Sequence, residues 1–119
     1  ERIVEAEATD KDEKSKILVA NVILNRVRSK EFPNSIEAVV FQRAYGKVQF
    51  SPTADGRYES VHITKSTKRS VKKALEDGID YSEGALYFVE KTMANPKNVS
   101  WFDEALTRLF TYQGHSFYK

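Results

Sequence analysis

The pattern of apolar and polar positions predicts helices over the first two-thirds of the chain. Residues 2–8 have the spacing of a short helix, and residues 13–28 form a longer one after the charged stretch 10–14. Between residues 17 and 27 this longer segment is apolar on almost every side, which is typical of a buried helix. We therefore expect it to be the central helix of the fold.

Two further helices are predicted from their capping residues. Asn34, with Glu37 three residues later, has the spacing of a capping box for a short helix that reaches Phe41. Thr64 can cap a helix that ends at Gly78, because glycine readily adopts the left-handed conformation that terminates helices. The apolar face of that helix is formed by Val71, Ala74 and Leu75.

Strand patterns are short and lie mostly in the second half of the chain. Residues 85–89 are rich in aromatic and branched side chains, and the tail 109–119 alternates aromatic and polar residues. Residues 47–50 could form a strand inside the otherwise irregular stretch 44–58, and a last short helix is expected at 100–106. The prediction is an α+β fold, mostly helical, with a small antiparallel sheet or hairpin.

Length and composition predict one globular domain, residues 1–119. Hydrophobic residues make up 40% of the chain, and there are fourteen aromatic residues: seven Phe, six Tyr and one Trp. This is enough for a packed core, whereas a disordered segment is poor in such side chains. Because residue 1 already lies in structured sequence, we expect a domain from a longer protein whose targeting segment is not in this chain.

Charge and motif content exclude several classes of function. Nineteen basic and seventeen acidic residues leave a net charge of +2 with no basic stripe, so a nucleic-acid partner is not expected. The chain has no cysteine, no paired metal-binding histidines and no phosphate-binding glycine loop, so neither a metal nor another cofactor is predicted. No apolar run is long enough to span a membrane. We expect a monomer.

Glu7 is the candidate for acid–base chemistry. It lies between Ala6 and Ala8, whose small side chains let a neighbouring segment approach. A carboxyl group held against such a packed wall keeps its proton more readily, since desolvation disfavours the charged form. The alternative is an ordinary carboxylate on the surface of a helix.

Six ordered blocks of sequence resemble the catalytic domain of the spore cortex-lytic and related cell-wall hydrolases. Each block is short, but together they extend over almost the whole chain in the order and spacing of that family. The blocks are residues 6–8, 17–27, 32–36 with 39–42, 49–52 with 55–57, 84–88 and 114–119.

The resemblance implies a lysozyme-like α+β domain that cleaves peptidoglycan glycan strands outside the cytoplasm, in the cell wall or spore cortex. It also implies that Glu7 is the only essential carboxylate of a lytic transglycosylase. One carboxylic acid can protonate the oxygen of the β-1,4 bond between N-acetylmuramic acid and N-acetylglucosamine. The resulting carboxylate can then take the proton of the sugar's own 6-hydroxyl, which closes a 1,6-anhydro ring without a second carboxylate or a metal.

The chain departs from the family pattern in two places. Relatives carry a Gly-Glu pair shortly after the catalytic glutamate, where this chain has Asp10 and Lys11, and residues 43–48 also differ. These departures leave open a hydrolytic muramidase, a glycan-binding module without turnover and a structural domain.

Candidate substrate contacts come from three segments. The loop 49–57 is expected to form a wall of the cleft opposite Glu7, with an exposed Phe50 stacking on a sugar ring, although it could be a turn that only closes the fold. On the strand at 85–89, Tyr87 is expected to face the cleft and Phe88 the core. The full set of candidates is Gln49, Phe50, Ser51, Asp55, Tyr87 and His115.

Structural roles are considered for three further polar residues and for His115. Asn25 is expected to satisfy backbone groups inside the core, and Asn21 could do the same or line the cleft. His62 is expected at the surface, and His115 has a structural hydrogen-bonding role as its alternative.

Overall fold

The computed structural model describes residues 1–9, 11–44, 47–48, 50, 52–90 and 106–119. Within these ranges the chain forms helices and short strands in an order that places most helices first. The helices are α1 (Arg2–Glu7), α2 (Glu13–Arg28), α3 (Ile36–Val40), α4 (Pro52–Asp55), α5 (Arg57–Ser60) and α6 (Lys65–Leu75). The strands are β1 (Arg43–Ala44), β2 (Lys47–Val48), β3 (Tyr87–Glu90), β4 (Arg108–Tyr112) and β5 (His115–Tyr118).

Helix α2 is the central element, with the bounds that its sequence predicts. Asp12 caps it by accepting a hydrogen bond from the Ser15 amide at 2.8 Å. Its apolar side chains enter two separate cores, because Val19 and Ile23 pack with α1, α3 and α6 while Leu18 and Val22 pack under the sheet. Burial on two sides therefore explains why α2 is apolar on almost every side.

The larger sheet has the strand order β3-β5-β4 and is antiparallel throughout. Phe117 of β5 lies opposite Phe88 of β3 and Phe110 of β4, and its ring is fully buried. The β4–β5 turn uses Gln113 and Gly114, both with positive φ, which suits a two-residue hairpin. The predicted α+β class with a small antiparallel sheet is confirmed.

Two local predictions are corrected, and a third is not tested. Helix α3 is capped by Ser35, whose hydroxyl accepts from the Ala38 amide at 3.2 Å, and not by Asn34. The stretch 44–58 is less irregular than expected, because it contains α4 and overlaps α5 and the pair β1–β2. The helix expected at 100–106 falls almost entirely on residues outside the described ranges.

Helix α6 begins after the predicted cap. The Thr64 side chain accepts from the Thr67 amide at 3.2 Å, and Gly78 follows the helix with φ of 68°. Val71 and Ala74 are buried as expected, but Leu75 is 49% exposed. In the described part of the chain, no helix has the length and apolar character needed to cross a membrane.

Candidate active site

Glu7 is the last residue of α1 and is half-buried. Ala6 and Ala8 on either side are almost completely buried, as the predicted packed wall requires. Glu7 therefore lies beside a packed wall and still reaches solvent.

Arg26 is the buried cation of this region. It projects from the last turn of α2, is only 4% exposed, and donates from Nε to the Leu86 carbonyl at 2.7 Å. Burial lowers the pKa of Arg26 from its ordinary value to about 10, while electrostatic interactions with Tyr87 and Glu7 oppose that shift. The guanidinium thus stays protonated at neutral pH.

Three aromatic rings surround the Arg26 guanidinium. Its Cζ lies 4.9 Å from the ring centroid of Phe32, 5.0 Å from that of Phe50 and 5.4 Å from that of Tyr87. Each ring offers a negative face to the cation, which partly replaces the water that burial removes. Phe32 and Tyr87 also contact each other edge to face at 5.8 Å. We call the rings of Phe32, Phe50 and Tyr87 the aromatic cage.

The charge of Glu7 acts on Arg26, because it works against the lowering of the Arg26 pKa by burial. Ala8, next to Glu7, belongs to the same buried cluster as Phe50, which lies against the guanidinium.

Two asparagines of α2 bind the segment just before Leu86 and Tyr87 and hold it against that helix. Asn21 donates to the Ile79 carbonyl at 2.9 Å and accepts from the Tyr81 amide at 3.1 Å. Asn25 donates to the Ala85 carbonyl at 2.8 Å and to the Ser82 hydroxyl at 2.9 Å. The core role expected of Asn25 is confirmed, and Asn21 has the same role.

Phe50 does not have the exposure expected of a sugar-stacking residue. It is 3% exposed and packs with Phe88 at a centroid distance of 6.0 Å and with the Arg26 cation. The expectation of an exposed ring is wrong, because the chain folds this position into the core below the guanidinium. Phe50 supports Arg26 and presents no free face to a ligand.

Tyr87 and Phe88 have different surroundings, as the alternation of side chains along a strand predicts. Phe88 packs against both core clusters, whereas Tyr87 lies over Arg26 and against Phe32. Tyr87 is therefore the predicted substrate contact that the structure brings to the Glu7 and Arg26 region. Whether it touches substrate stays a prediction.

The described contacts of His115 and Asp55 are with residues other than Glu7 and Arg26. His115 is 1% exposed and lies edge-on to Phe88 at 5.2 Å and to Phe117 at 6.1 Å. Such burial leaves no surface for a ligand, so the expected substrate contact is corrected to a core position. Asp55 is exposed and forms an ion pair with Arg57 at 2.9 Å.

The remaining candidates fall outside the described residues. These are Gln49 and Ser51, and Asp10 of the departure from the family pattern. The predicted cleft wall at 49–57 is therefore described only at Phe50 and at residues 52–57. Among the residues that the structure describes, no cluster of three or more His, Asp or Glu side chains could hold a metal ion.

A second polar cluster lies on another side of α1. The Glu5 carboxylate is 3% exposed and accepts from the Thr64 amide and the Thr67 hydroxyl, each at 2.8 Å. Burial alone raises the pKa of Glu5, but these hydrogen bonds and the nearby Lys16 ammonium outweigh it and lower the pKa below 4.5. His62, exposed as predicted, lines the adjoining cavity of about 480 Å³.

Sequence reasoning did not single out Arg26 as the buried cation of this region. The signal was present, because an arginine within an otherwise apolar helix must be exposed, paired or surrounded by polarisable groups. Its partners could not be inferred, since Phe32, Phe50 and Tyr87 reach it only through the tertiary fold.

Sequence comparison relates the chain to spore cortex-lytic enzymes. It is 38% identical over 85 residues to the spore cortex-lytic enzyme of Bacillus cereus, covering 68% of this chain and 29% of that protein. It is 34% identical over 85 residues to that of Bacillus subtilis, covering 71% of this chain and 26% of that protein. The chain thus spans less than a third of these curated relatives.

The fold is similar to two solved catalytic domains. One is the catalytic domain of the germination-specific lytic transglycosylase SleB from Bacillus anthracis, with a TM-score of 0.80 and 28% identity, covering 99% of this chain and 88% of that one. The other is the catalytic domain of the Bacillus cereus SleB protein, with a TM-score of 0.76 and 27% identity, covering 99% and 84%.

The sequence model of the Cell Wall Hydrolase family matches residues 10–118. This match begins just after Glu7, so it supports the family of the chain and does not by itself assign a role to that glutamate. With the fold and both relatives in agreement, the chain belongs to the Cell Wall Hydrolase family.

Proposed function

We propose that residues 1–119 act as a peptidoglycan lytic transglycosylase domain with Glu7 as its acid and base. The carrying observation is a half-buried carboxyl group at the end of α1, between the buried Ala6 and Ala8, in a chain with the fold of the SleB catalytic domain. The relatives are named spore cortex-lytic enzymes, which supports peptidoglycan outside the cytoplasm as the substrate.

In the proposed reaction, Glu7 first protonates the glycosidic oxygen between N-acetylmuramic acid and N-acetylglucosamine. The bond to the anomeric carbon breaks and leaves an oxocarbenium-like centre. The Glu7 carboxylate, now an anion near Arg26, takes the proton of the 6-hydroxyl as that oxygen attacks the same carbon. The products are a 1,6-anhydro end and a new N-acetylglucosamine hydroxyl, and Glu7 regains its proton.

The state of the other carboxylates supports a mechanism with one acid. Asp12 caps α2 through Ser15 and also accepts from the Tyr112 hydroxyl. Burial works to raise the pKa of Asp12, but the hydrogen bonds from Tyr112 and Ser15, with the Lys14 charge, lower it below 3.8. A carboxylate of lowered pKa is a weak base, so Asp12 is poorly suited to activate water.

Asp55 is also poorly suited to that task. Hydrogen bonds from Arg57 are the main cause that lowers the pKa of Asp55, and its carboxylate is already paired with the Arg57 side chain. Lys11, which stands where relatives carry a glutamate, donates to the Gln113 carbonyl at 2.7 Å and so holds the segment after α1 against the β4–β5 turn. Lys11, which departs from the family pattern, thus makes a structural contact in this chain.

Substrate contacts remain proposals. We place Tyr87 at the glycan, because it lies beside Arg26 and keeps part of its ring exposed. Gln49 and Ser51 remain in the proposed set through their position in the loop before α4. Phe50 and His115 leave the set because they are buried, and Asp55 leaves it because Arg57 engages it.

The test is a digest of purified peptidoglycan, with the released fragments identified by mass spectrometry. The proposal predicts muropeptides that end in a 1,6-anhydro ring, each lighter by one water than the hydrolytic product, and prior dialysis against a chelator should not change them. Borohydride reduction labels only hydrolytic ends. Abundant labelled muramic acid would mean a hydrolytic muramidase, and binding without any product would mean a glycan-binding module.

A further inference from the structure

Helix α6 has two opposite faces of different character. Its buried face is formed by Thr67, Ser70, Val71 and Ala74. Its exposed face presents four cations with the same spacing: Lys65, Lys68, Arg69 and Lys72. Each cation precedes a buried residue by two positions, which is a rotation of about 200° around an α-helix. The four cations therefore lie opposite the core, in a row about 10 Å long that we call the basic stripe.

The basic stripe has no ion-pair partner among the residues that the structure describes. No acidic residue occurs within α6, and the described contacts do not join Glu76 or Asp77, which follow the helix, to the stripe. Lys73, on the side of α6 that meets α2, does pair with Glu13. The cation that faces the protein is thus neutralised, whereas the four that face outward are not.

Stability alone does not favour this arrangement. Neighbours within the stripe are three or four residues apart, where like charges on a helix repel each other and destabilise it. Lys65 also lies in the first turn, at the positive end of the helix dipole. Because charges of both signs would keep the surface equally soluble, four cations on one face point to an anionic partner.

The stripe also makes the charge of the chain uneven. Helix α6 contains five of the nineteen basic residues and no acidic one, so the other residues include fourteen basic and seventeen acidic ones. A basic stripe was not expected from the nearly balanced sequence, and helical spacing creates it. A polyanion is therefore attracted to α6 more than to the remainder of the molecule, which is net negative.

We propose that the basic stripe is a docking surface for the free carboxylates of peptidoglycan stem peptides. The proposal rests on the substrate class of the proposed function, because that polymer repeats such carboxylates along each glycan strand. Helix α6 has no aromatic ring on which a nucleic-acid base could stack. Leu75 is its one exposed apolar side chain, which gives a lipid bilayer little to bury.

Docking at α6 is separate from cleavage at Glu7. Glu5 binds Thr64 and Thr67 at the start of α6. Glu7 follows Glu5 by two positions on α1 and so projects from another side of that helix. The stripe therefore holds a part of the cross-linked polymer that is not being cleaved, and it keeps the domain on its insoluble substrate.

The test compares two variants of equal net charge for binding to insoluble purified peptidoglycan. The stripe variant combines Lys65→Gln, Lys68→Gln, Arg69→Gln and Lys72→Gln. Glutamine is a good helix former, so α6 should remain folded, and thermal unfolding checks this. The control variant replaces four exposed cations outside α6 in the same way: Arg28, Lys30, Arg108 and Lys119. Binding is measured by cosedimentation on ice.

The stripe variant should bind about 10- to 100-fold more weakly than the wild type at low salt, because each of four exposed ion pairs contributes only a few-fold. The control variant should bind as the wild type does. Rising salt should bring the wild type down to the level of the stripe variant, since salt screens exposed charges. Cleavage of small soluble fragments, per folded molecule, should be the same in all three proteins.

Two treated polymers identify the anion. Peptidoglycan freed of phosphate polymers by acid should bind the wild type as before. Peptidoglycan whose carboxyl groups are converted to neutral amides should hold the wild type no better than the stripe variant. Full wild-type binding to the amidated polymer, or an equal loss in the stripe and control variants, overturns the inference.

Other outcomes separate this inference from the proposed function. Stripe-dependent binding that disappears with the phosphate polymers, or that occurs only on duplex DNA or anionic lipid vesicles, also overturns the inference. If the wild type binds through the stripe but cleaves no peptidoglycan, the proposed function fails and the docking surface stands. If all three proteins cleave and bind peptidoglycan equally, the docking surface fails and the proposed function stands.

Discussion

At the scale of single residues, burial decides which predicted roles are possible. Phe50 and His115 were both predicted to touch substrate, and both are almost completely buried. Glu7 and Tyr87 keep partial exposure and share the neighbourhood of Arg26. The chemical capacity of a side chain can be inferred from its type, but its access to a ligand depends on contacts that are distant in sequence.

Phe50→Ala should lower stability much more than it lowers activity per folded molecule. Removing a buried phenylalanine ring costs about 3–5 kcal/mol, because both transfer energy and packing are lost. Phe41→Ala is the matched control, since Phe41 is 44% exposed and should lose far less. Thermal or urea unfolding of both variants checks this. Equal small losses would contradict the core position of Phe50.

At the scale of elements, the side-chain amides of α2 determine where the strand β3 begins. Asn21 and Asn25 are one helical turn apart, and both bind the backbone between Ile79 and Ala85. This fixes the approach to β3 and hence the positions of Leu86 and Tyr87 beside Arg26. The site is thus assembled on α2, the element with the most extensive burial.

Asn25→Ala should destabilise the protein by about 1–3 kcal/mol, because the buried Ala85 carbonyl loses its donor. It should also lower activity, since the segment that carries Tyr87 is no longer fixed to α2. Asn34→Ala serves as the control, because Asn34 is exposed and α3 is capped by Ser35. A stability loss in Asn25→Ala no larger than in Asn34→Ala would show that the amide does not anchor this segment.

The elements also show what could be read from the sequence. The bounds of α2 and the cap of α6 were predicted correctly, because apolar periodicity and a capping threonine are local signals. The cap of α3 was misplaced by one residue, since Asn34 and Ser35 are both good caps and only the backbone decides between them. The aromatic cage could not be predicted, because its rings come from three separate segments.

At the scale of the whole molecule, a buried polar cluster joins three helices. Glu5 of α1 binds Thr64 and Thr67 at the start of α6, and Lys16 of α2 donates to Thr64 and Ser66 at 3.4 and 3.3 Å. The cluster is separate from the Arg26 region and lies against the cavity that His62 lines. It therefore offers a way to change stability without changing the candidate active site.

Stability should fall in acid through Glu5. Its pKa is lower in the folded protein than the ordinary 4.5, so the unfolded chain binds the proton more readily. The contribution of Glu5 is thus complete above about pH 4.5 and is lost as the pH falls through the lower folded pKa. Glu5→Gln should be less stable by about 1–3 kcal/mol at neutral pH and should lose less stability on acidification.

Urea unfolding at several pH values checks this prediction. Glu31→Gln is the control, because Glu31 is exposed and its replacement should leave the acid dependence as in the wild type. An acid dependence of Glu5→Gln identical to that of the wild type would contradict the role of Glu5.

The role of Glu7 is tested by muropeptide release from Glu7→Gln, compared with the wild type and with Glu5→Gln at a temperature where all three are folded. The amide is nearly isosteric but holds no transferable proton, so release should fall by at least about 10²-fold to 10⁴-fold with little change in melting temperature. Glu5→Gln, two residues earlier on the same helix, should be less stable but keep its activity per folded molecule. If Glu7→Gln releases anhydro-muropeptides at the wild-type rate, Glu7 is not the acid of this domain.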